Sequence, residues 1–138
     1  MYDIERITKI IKDIEHYKRE LDSLNINSAK DLEDSRNMHS SSMLCFSILN
    51  RVIDLGQEIL VKEDYGMPSR YSEIFTNLAK AGFINQEEAK KINELINFRN
   101  IIAHTYFELE KKDLLKIIKN INLIETFVYK IKKRISKK

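Results

Sequence analysis

Residues 3–24, DIERITKIIKDIEHYKRELDSL, carry apolar side chains at steps of three or four positions. This spacing places them on one face of an α-helix, because an α-helix turns once in about 3.6 residues. The apolar positions are Ile4, Ile7, Ile11, Ile14, Tyr17, Leu21 and Leu24. The stretch therefore predicts a first amphipathic helix with a buried face and a charged face.

The same spacing recurs along the rest of the chain and predicts four more helices. The first two are separated at LNINSAK, where Asn27 or Ser28 can cap the helix that follows. The predicted helices are Ser28–Val61, Tyr71–Lys80, Gln86–Ile102 and a last one from about Glu110 whose stripe reaches Ile135. The expected fold is all-α, an up-and-down antiparallel helical bundle of four main helices plus one short helix.

Local signals predict where these helices bend, start and stop. The polar, weakly helical segment SRNMHSSS indicates a kink or break near residues 36–42 of the second helix. Gly82 is expected to close the short helix, and Asn85 with Glu88 forms a capping box for the helix after it.

The composition bounds the class of protein. A chain of 138 residues fits one domain, taken as residues 1–138, and its three Gly and one Pro are too few turn-formers for many short strands. A single cysteine, Cys45, and the lack of a secretion signal predict a cytoplasmic protein, and no apolar run is long enough for a membrane span. Cys45 is expected to be a small buried hydrophobic residue, and His16 and His39 to lie at the surface.

One residue of the fourth helix breaks its apolar pattern. In NFRNIIAHTYFELE, residues 97–110, Arg99 occupies a position where the next apolar side chain belongs. A guanidinium on a core-facing stripe needs a partner, because a buried charge that loses its partner costs roughly 3–5 kcal/mol. The candidates are a phosphate, polar groups of a second subunit, or a carboxylate of the second helix such as Asp54 or Glu58.

His104 follows five positions later, about 140° around an ideal helix from Arg99 and roughly 7.5 Å along it. On one straight helix the two side chains diverge. They can converge if the helix ends or loosens near Ala103, or if two copies of the helix meet and share one groove. Such a groove would combine a fixed cation with a group that exchanges protons near neutral pH.

These residues resemble the Arg-x4-His-x-Tyr motif of HEPN-domain proteins, specifically the HepT toxin family. Arg99, His104 and Tyr106 match the motif, and Asn100 matches the polar residue that commonly follows the arginine. The segment GMPSRYSEIFTNLAKAGFI is similar to the family's Pro–Ser–Tyr–x–Glu–x–Phe–x–x–Leu–x–x–x–Gly segment. The resemblance therefore covers at least residues 66–107, while the polar first half of the second helix departs from the family's pattern.

The resemblance implies a homodimeric endoribonuclease toxin that needs no metal or other cofactor, with two copies of the motif in a cleft between subunits. His104 would act as a general base on a ribose 2′-hydroxyl or as a general acid to the leaving oxygen. Arg99 would stabilise the charge that develops on the phosphoryl group, and Asn100 would have a supporting role. The products would be a 2′,3′-cyclic phosphate and a 5′-hydroxyl.

The resemblance also implies a partner, a small MntA-like nucleotidyltransferase that acts as antitoxin. In the family it transfers AMP to the motif tyrosine, and Tyr106 matches that position. An adenylylated tyrosine next to His104 would add negative charge and bulk to the groove and so exclude RNA.

Other interpretations of the same residues stay open. His104 can be an ordinary helix-end residue, Tyr106 can be a packing residue, and the chain can be a non-catalytic helical module that binds a nucleotide or a partner protein. The basic end of the chain is either a solvated helix terminus or an RNA-attracting arm. The cations of that arm are Lys132, Lys133, Arg134, Lys137 and Lys138.

Overall fold

A computed structural model describes residues 2–63, 68–104 and 108–136, which form an all-α bundle without a strand in these ranges. Their helices are α1 Ile4–Ser23, a 3₁₀-helix Ala29–Glu33, α2 Ser35–Lys62, α3 Tyr71–Lys80, α4 Gln86–His104, α5 Lys111–Lys119 and α6 Asn122–Ser136. The predicted fold class is confirmed, and α3 has the predicted bounds.

The apolar stripes of these helices bury one continuous cluster of side chains. α1 packs along α2, while α3 and α4 pack against each other and against α2. α6 contacts α4 and carries Phe127, whose ring meets Phe75 of α3 edge to face at 5.7 Å between centroids. Because both rings are almost fully buried, they close the core on the side of α3 and α6. None of the helices in the described ranges has both the length and the apolar character that crossing a bilayer requires.

The predicted second helix is divided, and the division precedes the segment expected to kink. Residues 36–42 are helical, whereas the chain turns at Asp34 between the 3₁₀-helix and α2. The Asp34 carboxylate accepts a hydrogen bond from the backbone N–H of Arg36 at 2.8 Å, which caps α2. Ser41 and Ser42 are fully buried, and each hydroxyl donates to a backbone carbonyl four residues earlier at 2.6 Å. Their polarity therefore does not break the helix.

The predicted last helix is two helices, α5 and α6, that meet at residues 120–121. Asn120 ends α5, because its side-chain amide donates to the carbonyl of Lys116 at 2.7 Å. Such a local hydrogen bond competes with helix continuation. The isoleucine spacing continues across the break, with Ile121 and Ile124 both buried, so the apolar pattern alone predicted one helix.

The connection from α3 to α4 has the predicted signals. Gly82 adopts a φ of +85°, which favours glycine at a helix end. Asn85 and Glu88 form the reciprocal capping box, with N···O distances of 2.9 and 2.8 Å. Arg134 of α6 donates to the Gly82 carbonyl at 3.2 Å and lies over the Phe83 ring. These contacts fix the start of α4, the helix that carries Arg99 and His104.

Gly56 allows α2 and α3 to approach closely. A Cβ at this position would lie 2.5 Å from Cγ2 of Ile74. Gly56→Ala is expected to lower the free energy of unfolding by up to about 2 kcal/mol, because an overpacking cost of about 1–3 kcal/mol is offset by a gain of about 1 kcal/mol in helix propensity. Urea unfolding followed by circular dichroism measures this change.

The matched variant for this test is Ile74→Leu, which removes the offending Cγ2. The double variant is expected to lose less stability than the sum of the two single changes, because the clash is then relieved. Strictly additive losses would show that the close approach at Gly56 is not what limits the size of this residue.

Candidate active site

Arg99 is half-buried on α4 and is held by neutral polar groups. Its Nε donates a hydrogen bond to Oδ1 of Asn50 on α2 at 2.7 Å. Its Nη1 donates to Oδ1 of the neighbouring Asn100 at 3.1 Å. Two of the five N–H donors of the guanidinium are thereby engaged, and among the described residues the others are available to a ligand.

Two aromatic rings complete the surroundings of the guanidinium. Cζ of Arg99 lies 5.3 Å from the centroid of the Phe46 ring on α2 and 5.4 Å from that of the Tyr71 ring on α3. Both distances fall within the range of cation–π attraction. The side chain is therefore oriented by α2 and α3 as well as by its own helix.

The two carboxylates predicted as partners of Arg99 pair elsewhere, so that expectation is wrong. Asp54 accepts from Arg51 at 3.1 Å, and Glu58 accepts from Arg6 at 2.6 Å. Arg51 also holds Asp13 of α1 at 2.6 Å, and this hydrogen bond lowers the pKa of the Asp13 carboxyl. Among the described residues Arg99 forms no ion pair, so its positive charge is uncompensated within this part of the chain.

His104 is the last residue of α4 and is exposed. Because α4 is helical from Gln86 through His104, its side chain and that of Arg99 leave the same regular helix, about 140° apart. α4 continues through His104, so the described residues do not show the helix ending before the histidine, as the first of the two arrangements would need. The second arrangement, in which two copies of the helix share a groove, remains.

One face of α4 carries a polar stripe that the sequence analysis did not identify, half-buried at Asn93 and exposed at its other members. The stripe consists of Asn93, Asn97, Asn100 and His104, at steps of four, three and four residues. These steps place the four side chains on one face. Because Arg99 donates to Asn100, its guanidinium is linked to the face that carries His104.

A groove between α3 and α4 continues this face and has a volume of about 470 Å³. Asn93 and Asn97 contribute to its wall, together with Lys80 and Lys90. The Asn93 amide donates to the carbonyl of Ser72 at 3.3 Å. The groove is thus lined by amides, by two cations and by the carboxylate of Glu94, together with apolar atoms such as those of Ala79 and Ala89.

Several predicted site residues are not placed. Tyr106, the predicted modification site, lies outside the described residues, as do Lys137 and Lys138 of the basic arm.

The described cations of the basic arm make contacts within the fold. Lys132 pairs with Glu15 of α1 at 2.9 Å, and Lys133 lies over the Tyr129 ring at 5.3 Å. Arg134 is bonded to the α3–α4 connection as described above. These contacts account for part of the positive charge on α6, and RNA attraction by the arm stays a prediction.

Three further residues, one cysteine and two histidines, lie where the sequence analysis predicted. Cys45 is fully buried, and burial raises the pKa of its thiol to about 12, so it is an inert core residue. His16 and His39 are exposed, and His16 lies 3.1 Å from Glu20 on the same helix. The interpretation of these residues as structural or surface positions is confirmed.

The groups that hold Arg99 were missed by the sequence reasoning. Phe46 and Asn50 lie one helical turn apart beside the core stripe of α2, and nothing in the spacing distinguishes them from packing residues. Tyr71 lies in the segment that resembles the HepT family. That resemblance was the signal in the sequence that could have identified Tyr71 as a residue of the site.

Comparison with solved structures shows the same fold in other proteins. A cytosolic protein of unknown function, YutE from Bacillus subtilis, aligns with a TM-score of 0.85 and 18% identity over 99% of this chain and 94% of that one. A tri-AMPylated Shewanella oneidensis HEPN toxin in complex with an MNT antitoxin aligns with a TM-score of 0.86 and 22% identity over 96% and 99%. A toxin–antitoxin protein solved with AMP-PNP aligns with a TM-score of 0.85 and 20% identity over 92% and 97%.

At these identities the structural likeness establishes the fold. A search of curated protein sequences finds no significant match. The sequence pattern of one family, described as ribonuclease HepT-like, matches residues 5–131. Because this match spans most of the chain, the protein belongs to the ribonuclease HepT-like family.

Proposed function

We propose that this protein is a metal-independent endoribonuclease and the toxin of a toxin–antitoxin pair, with Arg99 and His104 as its catalytic residues. The observation that supports this most directly is the uncompensated guanidinium of Arg99, which is oriented by Asn50, Phe46 and Tyr71. A half-buried cation that pairs with none of the described carboxylates is suited to an anion, and the phosphodiester of RNA is the anion that the family's activity requires.

The chemistry follows from the two side chains. The ribose 2′-oxygen loses its proton and attacks the adjacent phosphorus, the bond to the 5′-oxygen breaks, and that oxygen takes a proton. His104 transfers one of these protons, as base to the 2′-hydroxyl or as acid to the leaving 5′-oxygen. Arg99 stabilises the negative charge on the non-bridging oxygens, and Asn100 supports it through the 3.1 Å hydrogen bond. The products are a 2′,3′-cyclic phosphate and a 5′-hydroxyl.

The proposed active unit is a homodimer of a single-domain chain, residues 1–138. Its support is the course of α4, on which Arg99 and His104 diverge by about 140°. If two copies of α4 face each other, Arg99 of one copy and His104 of the other can flank the same phosphate. Two such sites then form in one cleft between the subunits.

The proposed antitoxin is an MntA-like nucleotidyltransferase that transfers AMP to Tyr106. The support is the family match together with the structural likeness to an AMPylated HEPN toxin bound to an MNT antitoxin. Tyr106 lies two residues after His104, so its adenylylation would add a negative charge close to the site and repel RNA. The proposed place of action is the cytoplasm, where Lys132, Lys133, Arg134, Lys137 and Lys138 would add general attraction for RNA.

The test is cleavage of total cellular RNA by the purified protein in excess EDTA, with analysis of the product ends. Wild-type protein is expected to give discrete fragments that end in cyclic phosphate, and His104→Ala is expected to give none while keeping its helical circular dichroism spectrum. Intact RNA with well-folded wild-type protein would contradict the nuclease assignment. Binding of a nucleotide without cleavage would then favour a non-catalytic module.

Substitution of Asn50 tests whether the positive charge of Arg99 acts on the substrate. Asn50→Asp places a carboxylate where the amide oxygen now lies 2.7 Å from Arg99, and the resulting ion pair neutralises the guanidinium. Cleavage is expected to fall at least about tenfold, because the cation then stabilises its neighbour instead of the developing phosphoryl charge. Initial rates on a labelled RNA measure the effect.

The control is Asn122→Asp, the same chemical change at an exposed position at the start of α6. It is expected to leave the cleavage rate unchanged, since Asn122 is not among the groups that contact Arg99. If Asn50→Asp cut RNA as fast as this control, the charge of Arg99 would not be what acts on the substrate.

A further inference from the structure

We propose that Tyr71 is a stacking platform for an RNA base next to the scissile phosphate, so that the substrate is single-stranded RNA. This inference rests on the proposed nuclease function and adds the substrate class and a residue that recognises it. It starts from an asymmetry between the two rings that contact Arg99. Phe46 is half-buried, whereas 41% of Tyr71 is exposed.

The exposure of Tyr71 is not needed to hold Arg99. Asn50 and Phe46 already orient the guanidinium from α2, through a 2.7 Å hydrogen bond and a ring at 5.3 Å. Tyr71 adds a second ring at 5.4 Å but leaves much of its surface open to solvent. An exposed aromatic ring beside an arginine is the combination on which proteins stack unpaired bases.

The two side chains suit two parts of one substrate. Arg99 offers free N–H donors to a phosphate, and Tyr71, which contacts it, offers a ring face to a base. Because a phosphate and the bases on either side of it belong to adjoining nucleotides, neighbouring side chains can hold both at once. In a duplex the faces of the bases are already stacked on one another, so this mode of binding requires a single strand.

The test is binding rather than cleavage, measured with His104→Ala as the parent protein. The probes are a fluorescently labelled 12-nucleotide single-stranded oligoadenylate, an abasic ribose-phosphate oligomer of the same length, and an RNA duplex. Tyr71→Leu is expected to weaken binding of oligoadenylate roughly tenfold or more, as loss of a stacking residue does. Tyr71→Phe is expected to restore the affinity, because it restores the ring.

The abasic oligomer distinguishes two roles of Tyr71, stacking on an RNA base and orienting the Arg99 guanidinium. If the ring contacts a base, Tyr71→Leu changes binding of the abasic oligomer by less than about twofold, because the sugar–phosphate contacts remain. The duplex is expected to bind all variants equally weakly. The matched control is Tyr17→Leu on α1, since Tyr17 is half-buried and its ring lies beside His16 rather than beside one of the proposed RNA-attracting cations. It is expected to bind every probe like the parent.

Different results would contradict the stacking role of Tyr71 and the proposed nuclease function. Equal losses of affinity for oligoadenylate and the abasic oligomer would show that Tyr71 acts only through Arg99, and the stacking role would be wrong. Unchanged affinity for both would also exclude stacking, while cleavage by wild-type protein would keep the nuclease assignment. If wild-type protein cut no RNA and the parent bound none of the probes, both proposals would fail together.

Discussion

Arg99→Ala is expected to lower the rate of RNA cleavage about a thousandfold, the scale on which arginines that stabilise phosphoryl-transfer transition states act. The residue is suited to this role because it is oriented from α2, α3 and α4 yet pairs with no described carboxylate. Its charge is thus available at the moment when negative charge builds up on the substrate. Single-turnover cleavage of a labelled RNA measures the loss.

The fold is expected to survive this substitution. Removal of Arg99 leaves no carboxylate without a partner among the described residues, and the half-buried Asn50 amide can bond to water instead. Each of the two lost hydrogen bonds and two lost ring contacts is worth about 1 kcal/mol or less, so the variant is expected to stay folded at a lower unfolding temperature. Thermal unfolding followed by circular dichroism tests this expectation and separates a catalytic loss from a folding loss.

Two further variants sharpen the interpretation. Arg99→Lys keeps a charge but loses the planar fork of donors, and is expected to recover only part of the activity. Arg6→Ala removes an exposed arginine that pairs with the half-buried Glu58, and this variant is expected to cut at the wild-type rate. If Arg99→Ala retained more than about a tenth of wild-type activity, the guanidinium would not be the main stabiliser of the transition state.

The helical fold could be predicted because its cause is periodic. Burial of a stripe requires an apolar residue every three or four positions, and this signal is present in each helix of the chain. The breaks at Asp34 and Asn120 could not be predicted in the same way, since the apolar spacing continues across or beside them. Each break depends on one side chain that bonds to the backbone, and many polar residues could have done so.

The candidate site could be predicted only in part for a related reason. Arg99 stands out because it interrupts a stripe, but its partners lie on other helices, and Asn50 is 49 positions away in sequence. The expected carboxylates, Asp54 and Glu58, lie on the same helix as Asn50 but are taken by other arginines. Sequence spacing indicates which face a residue occupies, whereas the choice between competing ion pairs depends on distances across the bundle.

Mixing two inactive variants is expected to restore activity if the site forms between subunits. Arg99→Ala and His104→Ala each lack one catalytic group in every site of their own homodimers. After the subunits exchange at random, half of the dimers carry one of each chain, and one of the two sites in such a dimer has both groups intact. The mixture is therefore expected to reach about a quarter of wild-type activity.

A second mixture, with both substitutions on the same chain, distinguishes sites shared between subunits from sites within one chain. Wild-type protein mixed with the double variant Arg99→Ala/His104→Ala contains the same number of intact side chains, but every shared site in its mixed dimers lacks one group. Its activity is expected to fall to about a quarter of wild type, whereas sites within single chains would retain about half. A first mixture as inactive as its parents, with the second at one half, would mean that Arg99 and His104 act from one chain. The separation of about 140° between the two positions would then have to be overcome within that chain, which requires α4 to unwind before His104.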